Sequence, residues 1–308
     1  MVRWGTGPAL LSRPDLLTHD TRLPPERRHL SVSLLCLWDL LRQAKALGVG
    51  LYRVATALVP VATAADGSRF RYQLDACQSM LDWLRPAFRA DGIRLTAHPL
   101  LQVQLGSDDD EVAQAGLAAA EAWGALWERL DPDGQALTVV HLGGGEPARA
   151  QERFRRRVDA LGPAARKYLA LENEDHGATL EQSLAAATGA GLPLVLDYLH
   201  LRCHNPAGLP EGEAVARALG TWPDERRPKL HFSSPETGQG RRPPQPRQHG
   251  DYLDPFSYLG FARLLPPGRD CDVMLEAKAK DLALIKLRRD LAALEERCET
   301  GAGVIAAG

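Results

Sequence analysis

Cysteine is scarce and unpaired: the five cysteines, at 36, 77, 203, 271 and 298, are odd in number and follow no paired spacing. That excludes a disulfide framework and a cysteine-based zinc site, and it points to a reducing compartment. No apolar run approaches the length of a membrane span, and the N-terminus lacks a signal-peptide core. The expectation is a cytoplasmic protein with no membrane contact. Neither sign of charge is in surplus, with 37 Lys and Arg against 39 Asp and Glu and a net charge of −2. A near-neutral total leaves nucleic-acid binding open, because a basic patch can sit on a neutral chain. No internal repeat is visible, and the triple glycine at 143–145 lacks Walker or Rossmann spacing. What is present is ordinary globular material, 44% hydrophobic and 25% charged, enough for a real core.

The chain is organised around Leu192 to His204, LPLVLDYLHLRCH, where a short apolar run ends on Asp197 and His200 follows. Such a run fits a strand buried on both faces. Similar runs occupy Val2–Trp4, Leu51–Val54, Ile93–Ala97, Ala136–Val140, Tyr168–Leu171, Pro228–Phe232 and Asp272–Leu275. Helical periodicity covers Leu30–Leu47, Leu74–Arg89, a stretch from the acidic triplet 108–110 to near Leu130, Ala148–Leu161, Glu211–Leu219, Pro255–Leu264 and Lys278–Cys298. The Pro-, Gly- and Arg-rich stretch Glu236–Gln248 reads as a loop, flexible or ordered on binding. Eight strands alternating with helices predict a single α/β domain, a closed (β/α)8 barrel over residues 1–299, with a flexible tail over 300–308.

A barrel gathers its strand ends into one ring, and the apolar runs here end in chemistry-bearing residues. The ring offers His98, His141, Glu172, Asp197, His200, His231, His249 and Glu276. Imidazoles and carboxylates without thiolate suit zinc, manganese or iron(II). Five histidines and three carboxylates exceed what one ion takes, so a cluster of two or three divalent ions is predicted, with a carboxylate such as Glu172 bridging. One histidine at one strand end would more often be structural; recurrence in successive βα units argues for a site. His19, His29, His176 and His204 are read as surface or structural, and Arg153, Arg155, Arg156 and Arg157 as a solvated helix face. Arg241, Arg242 and Arg247, just before His249, are the better candidates for phosphate contact.

The motifs TAHP at 96–99, VVHLGGG at 139–145, LALENED at 169–175, LVLDYLH at 194–200, PKLHFSSP at 228–235, HGDYLD at 249–254 and DVMLEAKAKDLALIKLR at 272–288 resemble the UV damage endonuclease family (UvsE/UVDE), relatives of endonuclease IV. The resemblance implies a metal-dependent DNA repair endonuclease that nicks the phosphodiester 5′ to UV photoproducts or other lesions in double-stranded DNA. It implies one ion on His98, His141 and Glu172, a second on Glu172, Asp197, His231 and Glu276, and a third on His200 and His249. Glu172, Lys229 and His231 would be catalytic, with Lys229 matching a lysine that is carboxylated in relatives. Manganese is the expected metal, with zinc as the alternative, and the expected protein is a monomer.

Two departures stand out. The family's HPGQY segment, whose Gln and Tyr probe damaged DNA, reads His98-Pro99-Leu100-Leu101-Gln102 here. Leu100, Leu101, Gln102 and Gln104 are therefore the candidate lesion contacts, with altered lesion choice as the consequence. A family histidine after the Tyr-Arg strand is Ala64. The rival readings are a sugar isomerase or epimerase on the same barrel, and a non-catalytic protein that binds DNA damage.

Overall fold

The computed structural model describes residues 1–99, 103–131, 133–238 and 243–305. Strands β1 (Val2–Thr6), β2 (Leu51–Arg53), β3 (Arg94–Ala97), β4 (Leu137–His141), β5 (Leu169–Glu172), β6 (Leu194–Asp197) and β7 (Lys229–Phe232) are followed by a two-stranded hairpin, β8 (Pro235–Glu236) with β9 (Gln245–His249), and then β10 (Cys271–Leu275). The strands other than β8 and β9 close into a barrel in the order β1-β10-β7-β6-β5-β4-β3-β2, every pair parallel. This is the (β/α)8 barrel that the alternation of runs predicted.

Alternation along each strand sorts the side chains. On β7, Leu230 and Phe232 join the main core shared with the surrounding helices, while Lys229 and His231 face the barrel axis. A separate apolar cluster of Leu137, Val139, Ala170, Val195 and Trp222 fills part of the barrel interior. The register places His141 beside Glu172 and Asp197 beside His231, so the strand-end residues reach one level. The helices bury one apolar stripe each. Leu30–Ala46 puts Leu30, Leu34, Leu37 and Leu41 inward at helical spacing and stops before Gly48, whose φ of 64° suits glycine. Asp109 caps the helix Asp110–Leu130 by accepting from the backbone N–H of Glu111 and Val112.

The expected outline changes in several places, among them an added short helix at Pro163–Lys167. The helix placed at Leu74–Arg89 is two helices, Ala64–Ala76 and Gln78–Asp91, breaking at Cys77. A helix at Leu180–Gly189 went unforeseen, although Thr179 and Gln182 form a capping box at its start. A further short helix, Tyr198–Cys203, begins directly after Asp197, whose side chain accepts from the His200 N–H. Part of the Glu236–Gln248 loop is the hairpin. The last helix, expected over Lys278–Cys298, runs Lys280–Ile305.

Candidate metal centre

At the barrel mouth the eight predicted ligands converge. His98, Glu172 and His231 bring ligand atoms within 4.8 Å of one another, as do Asp197, His231 and Glu276, and Asp197, His200 and His249. His141 stands beside the first group, its Nε2 3.7 Å from Glu172 Oε2. The three groups share His231 and Asp197, a different partition from the expected one. His231 joins the first group, and Asp197 joins the histidine pair. Glu172 lies centrally, with His98 at 2.7 Å, His231 at 2.8 Å and His200 at 3.6 Å.

The backbone sets the tautomers. His98 donates Nδ1–H to the Val139 carbonyl at 2.9 Å, and His200 donates Nδ1–H to the Asn173 carbonyl at 2.9 Å. The His98 ring then presents Nε2 to the site, as a metal-ligating imidazole does. At His200 burial is outweighed by Asp197 and Glu172, which raise its pKa. Burial pushes His98 down to about 4 and His231 well below the ordinary histidine range, so both are neutral near pH 7. Glu172 remains a carboxylate: burial opposes its charge, but His231, His98 and His141 around it hold its pKa well below the usual range. His98 Nε2 thus faces Glu172 Oε2 at 2.7 Å in a buried setting. Glu172 Oε2, Asp197 Oδ2 and His231 Nε2 are buried and accept no hydrogen bond. Buried acceptors without donors are costly, and a shared cation satisfies all of them at once. The residues present fit divalent metal ions.

Two residues of this centre were missed in the sequence. Arg53, at the end of β2, pairs with Glu276 and faces Glu172 and Asp197; burial lowers its pKa to about 10, so it stays cationic. Asn173 is buried and clasps the Asp197 backbone, accepting from its N–H at 2.7 Å and donating to its carbonyl at 3.1 Å. Both stood next to motif residues, as the end of Tyr-Arg and the middle of LENED. Lys229 lies one level deeper than the ligands, fully buried, with Nζ donating to Thr96 Oγ1 at 3.0 Å. Burial, with Arg53 behind it, lowers its pKa well below the lysine range.

The candidate DNA contacts separate. Leu100, Leu101, Gln102, Arg241 and Arg242 lie outside the described residues. Gln104 is half-buried in the turn after β3, and Arg247 is exposed on β9. Two arginines read as a solvated helix face do something else. Arg157 is buried and donates to the Leu105 carbonyl at 2.9 Å, and Arg153 donates to the Gly106 and Gly144 carbonyls, both at 2.8 Å. They tie the turn carrying Gln104 to the triple-glycine loop. Arg155 does lie on the solvated face, paired with Glu152 and Asp159.

Fold and site together define a (β/α)8 barrel whose mouth gathers groups of residues that could hold a metal ion. A family model described as UV-endonuclease UvdE matches residues 27–306, and the chain belongs to this family. It is 27% identical over 261 residues to the UV DNA damage endonuclease of Bacillus pumilus, covering 83% of this chain and 79% of that protein. It is 34% identical over 218 residues to the UV-damage endonuclease of Neurospora crassa, covering 64% of this chain but 31% of that longer protein. The fold matches the crystal structure of SacUVDE with a TM-score of 0.80 at 21% identity, over 96% of this chain and 99% of that one. Endonuclease IV from Thermus thermophilus shares the barrel with a TM-score of 0.54 at 22% identity, over 84% of this chain and 94% of that one. Among the described residues no helix is long and apolar enough to cross a membrane.

Proposed function

We propose that the chain is a metal-dependent DNA repair endonuclease that nicks one strand 5′ to UV photoproducts or other lesions. The observation that carries this reading is the convergence of His98, Glu172, His231, Asp197, Glu276, His200 and His249 into three groups around buried acceptors without hydrogen-bond partners. Membership of the UV-endonuclease family supplies the substrate class. Divalent ions bound there lower the pKa of water and neutralise charge on a phosphate. Two or three ions, manganese before zinc, fit the number of ligands.

The protein's own side chains do the rest. The Val139 and Asn173 carbonyls orient two imidazoles. Arg53 keeps a permanent positive charge beside Glu276, next to where a phosphate would lie. Lys229 sits beneath this level as a buried amine; its carboxylation, implied by the resemblance, is part of the proposal. Glu172, Lys229 and His231 are the proposed catalytic residues, and Gln104 and Arg247 the proposed duplex contacts among the described residues. A cytoplasmic monomer is the proposed working form.

The test is strand nicking on UV-irradiated and abasic duplexes by protein reconstituted with Mn²⁺, set against the same protein in EDTA. Nicking with Mn²⁺ and none with EDTA is expected, along with more than one ion per chain by metal analysis. Metal-loaded protein that cuts no damaged duplex would overturn the reading.

A further inference from the structure

A cavity of about 730 Å³ opens above the metal centre, and its lysines and arginines are Arg53, Lys278 and Lys280. Two of the three are neutralised: Arg53 pairs with Glu276, and Lys278 Nζ lies 2.8 Å from Glu236 Oε2. The Lys280 ammonium has no carboxylate or carbonyl partner among the described residues. It is half-buried, and burial followed by the facing Arg53 pushes its pKa down. Asp281, next in the chain, opposes that shift, but no hydrogen bond or ion pair holds the Lys280 ammonium among the described residues.

The backbone beneath Lys280 carries a second observation. With φ of 50°, Lys280 alone among the described non-glycine residues has a positive φ. Left-handed backbone is unfavourable for a residue with a Cβ and free for glycine. The conformation is imposed from both sides. Lys278 N–H donates to the Gly250 carbonyl and Ala279 N–H to the Asp251 carbonyl, both at 3.0 Å. On the other side, the buried Asp281 carboxylate accepts from the Leu11 and Ser12 N–H groups. A side chain that strains its own backbone at the rim of a site, and makes no hydrogen bond or ion pair among the described residues, is positioned for something outside it.

We infer that Lys280 is a substrate-binding residue whose ammonium contacts a backbone phosphate of the nucleic-acid strand lying across the metal centre. This rests on the reading of the chain as a DNA endonuclease and adds a specific anchor to it. The chemistry is that of a point charge on a non-bridging phosphate oxygen. Such a contact holds the strand and leaves sequence and lesion unread.

The test compares wild type, Lys280→Gly, Lys280→Gln and Lys280→Arg on one duplex bearing a single abasic site. Lys280→Gly should raise the Tm of the free protein by about 1–2 °C, because glycine relieves the left-handed backbone. The same substitution should weaken duplex binding by about tenfold. Lys280→Gln, which keeps the stem and the strain, should lose binding equally, whereas Lys280→Arg should stay within about threefold. The slope of log affinity against log salt should become shallower by about one in both neutral variants. The loss should appear in KM, with kcat nearly unchanged. Wild type that binds and nicks the duplex while Lys280→Gln matches it in affinity and salt slope would overturn the assignment and leave the endonuclease reading intact. Wild type that neither binds nor nicks would overturn both.

Discussion

The barrel holds two buried charged clusters, one at each end, and they are built to opposite rules. At the bottom the Asp272 carboxylate, fully buried, accepts from Arg3 Nε at 2.7 Å and Nη2 at 2.9 Å, and from Arg94 Nη1 at 3.0 Å. Arg94 also donates to the Arg227 carbonyl at 2.7 Å and lies 5.6 Å over the Trp222 ring. Every acceptor there is filled, and the spare groups are donors, Arg94 Nη2 and Arg227 Nη1. At the mouth three spare groups are acceptors, on Glu172, Asp197 and His231, beside one spare donor, Arg53 Nε. A cluster rich in donors around a filled carboxylate is closed and contributes stability. A cluster rich in acceptors around neutral histidines is open toward a cation. Charge burial alone does not mark a functional site; buried acceptors left unfilled within reach of one another mark a place for a cation.

Removing one carboxylate from each end should separate the two roles. Glu172→Gln takes the central acceptor from the mouth, and kcat/KM with Mn²⁺ should fall by about 10³-fold or more. Its metal-free Tm should equal or exceed that of wild type, since the amide replaces a buried acceptor that has no donor. Nicking retained within about tenfold would remove Glu172 from the chemistry. Asp272→Asn should do the reverse. It leaves Arg3 and Arg94 with uncompensated charge, so stability should drop by roughly 2–4 kcal/mol in urea unfolding. Nicking per folded molecule should remain. A stable Asp272→Asn protein without activity would erase the distinction between the two ends.

Much of this was legible from strand ends, because a buried apolar run that stops on His, Asp or Glu fixes both the fold and the ring of candidate ligands. The barrel was found that way, and the eight candidate ligands converge at its mouth. What escaped was information that sequence order does not hold. Arg53 lay inside the run Leu51–Val54 with nothing in the sequence to single it out, and only closure of the barrel brings it against Glu276. The partition of ligands into groups depends on rotamers at the level of His231, and so could not be read from spacing. Arg157 was indistinguishable from its solvated neighbour Arg155 until the turn at 105–107 lay over it. The helix Leu180–Gly189 was missed for a weaker reason, since its Ala-rich face has little amphipathic contrast even though its capping box was in plain view.

The smallest expected effect sharpens the comparison without any large loss. With burial pushing His98 down to about 4, the folded protein resists protonating this ring, whereas the unfolded chain protonates it near 6.5. The neutral ring's contribution to stability is therefore fully present above about pH 6.5. It is lost as pH falls from there through 4, at a slope approaching about 1 kcal/mol per pH unit. Metal binding should weaken over the same window, because a proton on Nε2 competes with the ion for one lone pair. His98→Asn should remove that slope from the metal-free protein while leaving the effect of Asp272→Asn untouched, since arginines do not titrate there. The measurement is urea unfolding of wild type and His98→Asn, both in EDTA, at several values between about pH 7 and 4.5. Parallel pH profiles for the two proteins would mean that His98 is already charged in the folded state. The contact with Glu172 would then be an ordinary ion pair, and the mouth would have no unfilled place for a cation.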